Sequence, residues 1–133
     1  MSMKKYILLG VIIVGLLASC DKNLITSPYN TSITGRWKLL ETLSDPGDGS
    51  GEWVKAKSDN SFIQINGDGT FRSFDTEFNG VRSYKIIDSS VVELTFDNNT
   101  SKINYRYKLD GSKLELNPPC IEACGFKYLR VSN

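Results

Sequence analysis

From Arg36 onward the apolar positions recur every second residue. Val92, Leu94 and Phe96 alternate with Glu93 and Thr95, and Ile103, Tyr105, Tyr107 and Leu109 alternate with Asn104, Arg106 and Lys108. Successive side chains of an extended chain point to opposite faces, so this alternation predicts strands with one dry and one wet face. Leu114 and Leu116 repeat it between Lys113, Glu115 and Asn117, and weaker versions run over residues 62–66, 70–75, 82–88 and 126–131. Asn66-Gly67-Asp68-Gly69 and Asp110-Gly111 supply hairpin turn chemistry between them, with Asn79-Gly80 and Asp97-Asn98-Asn99 as looser breaks. Beyond the N-terminal segment no window of ten residues keeps a helical stripe. The pattern predicts an all-β domain of eight or nine short antiparallel strands in mostly up-and-down order. A small closed barrel of about eight strands would hide the apolar faces and remove the edges together; a β-sandwich is the alternative.

The first twenty residues follow another rule. Lys4 and Lys5 precede an apolar run over residues 7–17, and small Ala18 and Ser19 come next. Eleven apolar residues fall short of the roughly 20 needed to span hydrocarbon, so residues 1–19 read as an export signal. The junction Leu17-Ala18-Ser19-Cys20 resembles the bacterial lipobox. That resemblance implies cleavage before Cys20, acylation of its sulfur and new amino terminus, and a palmitate-type anchor in the cell envelope. More than one chain anchors stably where one is marginal. Residues 20–34 are polar and β-branched and read as the acylated Cys and a tether, leaving 35–133 as the folded domain. Asn30-Thr31-Ser32 and Asn98-Asn99-Thr100 match a glycosylation sequon that carries no weight in a bacterial chain.

Gly35-Arg36-Trp37 opens the first predicted strand and looks like the G-x-W motif of lipocalins, whose Trp plugs one end of an eight-stranded barrel. In that family an Arg late in the barrel covers the Trp, and Arg130 in the last strand matches by position. The 45–51 loop DPGDGSG, the hairpin NGDGTF and the ending PPCIEAC complete a resemblance to the small lipocalin-like domains of bacterial lipoproteins. The chain departs from lipocalins in lacking a C-terminal helix and in having only about 100 residues to fold.

The 133 residues suffice for one domain and exclude a two-domain enzyme. The chain has 16 basic and 15 acidic residues; loss of Lys4 and Lys5 with the signal leaves 14 against 15, which gives no field for nucleic acid. With no His, imidazole-dependent catalysis and His-ligated zinc are excluded, and no catalytic residue, cofactor or metal is expected. Once Cys20 carries lipid, Cys120 and Cys124 remain as a pair outside the cytoplasm, which predicts a disulfide. An extended strand would hold their Cα atoms about 13 Å apart, so residues 121–123 must turn. The acidic loop 45–52 and the set Asn66, Asp68, Thr70 and Glu77 raise the question of calcium. Gly in one and Phe71 in the other occupy positions that would need ligands or a Gly, so both read as turns.

Tyr84, Phe96, Tyr105, Tyr107 and Tyr128, in a wider set with Phe71, Phe74 and Phe126, either line a pocket or fill the core. Trp53, placed in the loop after DPGDGSG, either covers a barrel end or is an exposed contact residue. Two functions follow: a lipid-anchored barrel binding a small apolar or amphipathic molecule, or a filled barrel whose loops, such as 45–52, contact an envelope protein or glycan.

Overall fold

The structure, a computed structural model, describes residues 32–97 and 101–133. The export signal, Cys20, the tether as far as residue 31 and the Asn98-Asn99-Thr100 sequence lie outside the described residues. Within them the chain forms nine strands: β1 (Gly35–Ser44), β2 (Glu52–Lys55), β3 (Phe62–Ile65), β4 (Phe71–Ser73), β5 (Val81–Ile86), β6 (Val91–Phe96), β7 (Lys102–Asp110), β8 (Lys113–Asn117) and β9 (Cys124–Ser132). All pairings are antiparallel and build one sheet in the order β4-β3-β1-β9-β8-β7-β6-β5. β2 lies on the same edge of β1 as β3, pairing with residues 41–44 where β3 pairs with 35–38. The sheet curls until its ends meet: Thr70 bridges Ser83, and the Tyr84 N–H donates to the Gly69 carbonyl at 3.0 Å. The result is a nearly closed up-and-down barrel, with β2 and β3 sharing one of its eight positions.

The alternation read from the sequence sets which side chains enter. Val92 and Leu94 of β6, Tyr105 of β7 and Leu114 and Leu116 of β8 are buried, while Phe96, Ile103, Tyr107 and Leu109 pack partly buried against them. β1 contributes Trp37 and Leu39; a bulge then shifts its register against β9 between Leu39 and Glu41. An extra residue there bends the strand, which a small barrel needs to turn its corner. Three details differ from the pattern. β4 ends at Ser73, because the chain turns inward after Phe74, which is 62% exposed. Trp53 sits in a strand and not in a loop, since residues 52–55 pair with the far end of β1. Residues 32–34 of the predicted tether lie against the barrel, with Ile33 buried.

The middle of the barrel is occupied by a ring from the β4–β5 connection. Phe78 is completely buried, with its centroid 5.8 Å from Phe71, 5.6 Å from Tyr105, 5.2 Å from Phe126 in an edge-on contact, and 6.3 Å from Tyr128. Offset and edge-on rings at such separations attract one another beyond their buried area. Asp75 shapes the turn that delivers Phe78, its Oδ1 accepting from the Phe78 N–H at 3.1 Å and from Ser73 Oγ at 2.9 Å. Replacing Phe78 with Ala should cost about 3–5 kcal/mol in denaturant unfolding, because the four rings cannot all close on the space left; a loss below about 1 kcal/mol would contradict this packing.

Candidate functional site

One end of the barrel is built around Trp37. Its indole N–H donates to the Ile33 carbonyl at 2.9 Å, and the Arg130 guanidinium lies over its ring, 4.1 Å from the centroid. Arg130 also donates to the Thr34 carbonyl and, at 2.6 Å, to that of Ser32, so the same side chain ties the entering segment to the Trp. Gly35 makes room for this arrangement. Its φ is +136°, and a Cβ there would stand 2.7 Å from Arg130 Nη1 and 2.8 Å from the Ser132 carbonyl. The spacing of Gly35 and Trp37 is therefore a packing requirement: one residue admits the guanidinium, the other receives it.

The five aromatic residues named as lining side chains occupy different places. Tyr105 and Tyr128 are buried beside Phe78. Tyr84 and Phe96 are partly buried against the core; the Tyr84 hydroxyl donates to the Asn66 carbonyl at 2.9 Å. Tyr107 lies near the β5–β6 turn, its hydroxyl donating to the Asp88 carbonyl at 3.2 Å. Tyr128 is fully buried, with its hydroxyl against the Asp75 carboxylate. Burial first, and then the negative charges of Asp75 and Glu77, push that phenol well above its ordinary pKa; burial and Glu77 raise Tyr105 in the same direction.

The other end of β1 carries a cluster of loops. The 45–51 loop is wound around Asp45, whose Oδ1 accepts from the N–H groups of Gly47 at 2.8 Å and Gly49 at 3.2 Å, and whose Oδ2 accepts from Gly51 at 3.2 Å. These bonds, chiefly that of Gly47, hold the Asp45 carboxyl below its usual range. Beside it runs the turn closed by the Cys120–Cys124 disulfide, with Cα atoms 6.2 Å apart. The two loops are joined where the Asp45 N–H donates to the Ala123 carbonyl at 2.9 Å, and Gly47 lies close to Glu122. Ile121 projects from the disulfide turn fully exposed. Under the turn a groove of about 570 Å³ is floored by Leu43, Arg106, Lys108, Glu115 and Asn117.

That groove opens on the outer face of the sheet, where the cross-strand neighbours Lys55, Glu41, Lys127, Glu115 and Lys108 alternate in charge. Opposite charges directly across a ladder stabilise the pairing and keep the face wet. Lys127 Nζ meets Glu41 Oε2 at 3.2 Å and stands 3.8 Å over the Trp53 ring. Trp53 lies across β1 toward Gly125, where any Cβ would come within 2.8 Å of the ring and 2.6 Å of Asn117 Oδ1. Of the two roles considered for Trp53, neither describes this position: it is a half-buried brace on the outer wall. Sequence reasoning missed Gly125 as its slot and missed Phe78 altogether.

Asp68, like Asp45, spends its charge on its own turn, accepting from the Thr70 N–H at 2.9 Å and from its hydroxyl at 2.6 Å. Among the described residues no three Cys, Asp or Glu side chains converge to hold a metal ion. A comparison of the chain with models of known protein families finds no match, and a comparison with curated proteins finds none either.

The titratable groups set a pH profile. The fold holds the Tyr128, Tyr105 and Tyr84 phenols protonated more firmly than the unfolded chain does, so their contribution is complete below about pH 10 and lost as pH rises from there. Asp45, Asp48, Asp68 and Asp88 are held low, so theirs is lost as pH falls below about 4. With no His, denaturation midpoints should stay flat from about pH 5 to 9 and fall above 10. Tyr128→Phe should make the alkaline fall shallower; an unchanged slope would contradict the assignment.

Proposed function

We propose that the protein is a non-enzymatic lipoprotein of the cell envelope, anchored through acylated Cys20, that presents a rigid loop cluster on a filled barrel to another envelope protein or glycan. The observation that carries this reading is the joining of two pinned loops, 45–51 and the disulfide turn, with Ile121 fully exposed beside an open groove. Each loop is ordered before any partner arrives, one by Asp45 and the other by the disulfide, so less conformational entropy is lost on binding. In this reading Ile121, at the rim of that groove, is the contact residue. The reading as a carrier of an apolar molecule in the barrel axis is less favoured, because Phe78 and its four aromatic neighbours take that volume.

Two measurements on the full chain in its native envelope test the proposal. Cys20→Ala should move the protein out of the membrane fraction; retention would contradict the anchor. A photoreactive residue at position 121 should give a discrete crosslinked adduct that one at exposed Lys85 on β5 does not. The same adducts at both positions, or none at 121, would contradict a partner at the loop cluster.

A further inference from the structure

The loop cluster depends on one covalent bond that solvent can reach. Cys120 is exposed, and Cys124, the first residue of β9, is half-buried. Neither packs in the buried core. Their disulfide spans a sequence separation of 4, and so short a ring takes less freedom from the unfolded chain than a long-range bridge would. Its contribution to the stability of the barrel is correspondingly small. Exposed disulfides are also reduced more readily than buried structural ones.

What the bond does hold is the turn. Among the described residues, the backbone of 121–123 makes one hydrogen bond, accepted by the Ala123 carbonyl from the Asp45 N–H at 2.9 Å. If the ring opens, three residues regain their backbone freedom, and one hydrogen bond between loops does not offset that entropy. The 45–51 loop differs. Its bonds to the Asp45 carboxylate, from Gly47, Gly49 and Gly51, are its own and do not involve the disulfide turn. The structure also has a place for the reduced form. The Pro118 carbonyl stands 3.9 Å from Cys124 Sγ, an acceptor already in position for the thiol that reduction creates.

We infer that the Cys120–Cys124 disulfide is a redox latch on the loop cluster: reduction by a dithiol frees residues 121–123 and with them Ile121, while the barrel stays folded. In this step a thiolate of the dithiol attacks Cys120 Sγ, the exposed sulfur, and the electron pair of the S–S bond leaves on Cys124 Sγ. The second thiol of the reductant then displaces Cys120 from the mixed disulfide. The products are two cysteine thiols, protonated by the two hydrogens of the dithiol, and the reductant as a disulfide. The two states present different surfaces: a fixed Ile121 over a covered groove, or an open groove floor carrying Arg106 and Lys108. The latch rests on the loop cluster being the contact surface only for its consequence, a partner that binds one state and not the other.

The test is NMR relaxation and amide hydrogen exchange on the full-length protein in detergent micelles, before and after treatment with dithiothreitol. The inference predicts a mass gain of two hydrogens, and order parameters of Ile121, Glu122 and Ala123 that fall below about 0.6. Exchange of the Asp45 amide should become at least about tenfold faster, with that of Tyr105 changed by less than about twofold. Cys120→Ser should reproduce both readings without reductant. A disulfide that dithiothreitol leaves intact in the folded protein, order parameters unchanged by its loss, or Tyr105 exchange accelerating in step with Asp45 would overturn the inference. None of these readings needs a partner, so they stand or fall apart from the crosslinking at position 121.

Discussion

One aromatic ring decides what kind of barrel this is. Phe78 enters between β4 and β5 and packs against Phe71, Tyr105, Phe126 and Tyr128, residues of three separate strands. A barrel of about 100 residues has little interior, and a single Phe at its centre turns a vessel into a solid body. Other features follow from where that ring must go. The chain leaves the sheet after Ser73, β4 is held to three residues, and β2 pairs with β1 alone. Asp75 uses one oxygen on the inward turn, and its carboxylate also faces the buried Tyr128 hydroxyl.

Much of the scaffold was legible because burial on one face writes a period of two into any strand. β6, β7 and β8 appear in the structure nearly as the alternation drew them, and the Asn66 and Asp110 turns fall where their chemistry requires. The disulfide was readable from the sulfur count, given the export that the first twenty residues lead one to expect. Phe78 was not, because it stands alone in Asp75-Thr76-Glu77-Phe78-Asn79-Gly80 with no apolar neighbour two residues away to give it a period. The available signal was indirect: an Asp three residues ahead of a lone Phe, followed by Asn-Gly, is a side-chain-stabilised turn with an apolar tip. Trp53 escaped for a similar reason. Its strand has only four residues, and its slot depends on Gly125, 72 positions along the chain and silent in any local pattern.

A solid barrel moves function outward. Its Trp37 end is closed by Arg130 and the segment before β1, so the surfaces left include the loop cluster at the other end of that strand and the charge-alternating outer face. The cluster is stiff because an Asp carboxylate and a disulfide each close a small ring of chain. An anchor at Cys20, through the intervening tether, would let such a body sample partners near the membrane without itself entering it.

The most direct test of the solid barrel is an aromatic NOESY spectrum of the full-length protein in micelles with labelled Phe and Tyr. Cross-peaks from the Phe78 ring to the rings of Phe126 and Tyr128 are predicted, since their centroids stand 5.2 and 6.3 Å away. A Phe78 ring with solvent-like shifts and no cross-peak to either would mean an open interior, and would return the axis of the barrel to the list of binding sites.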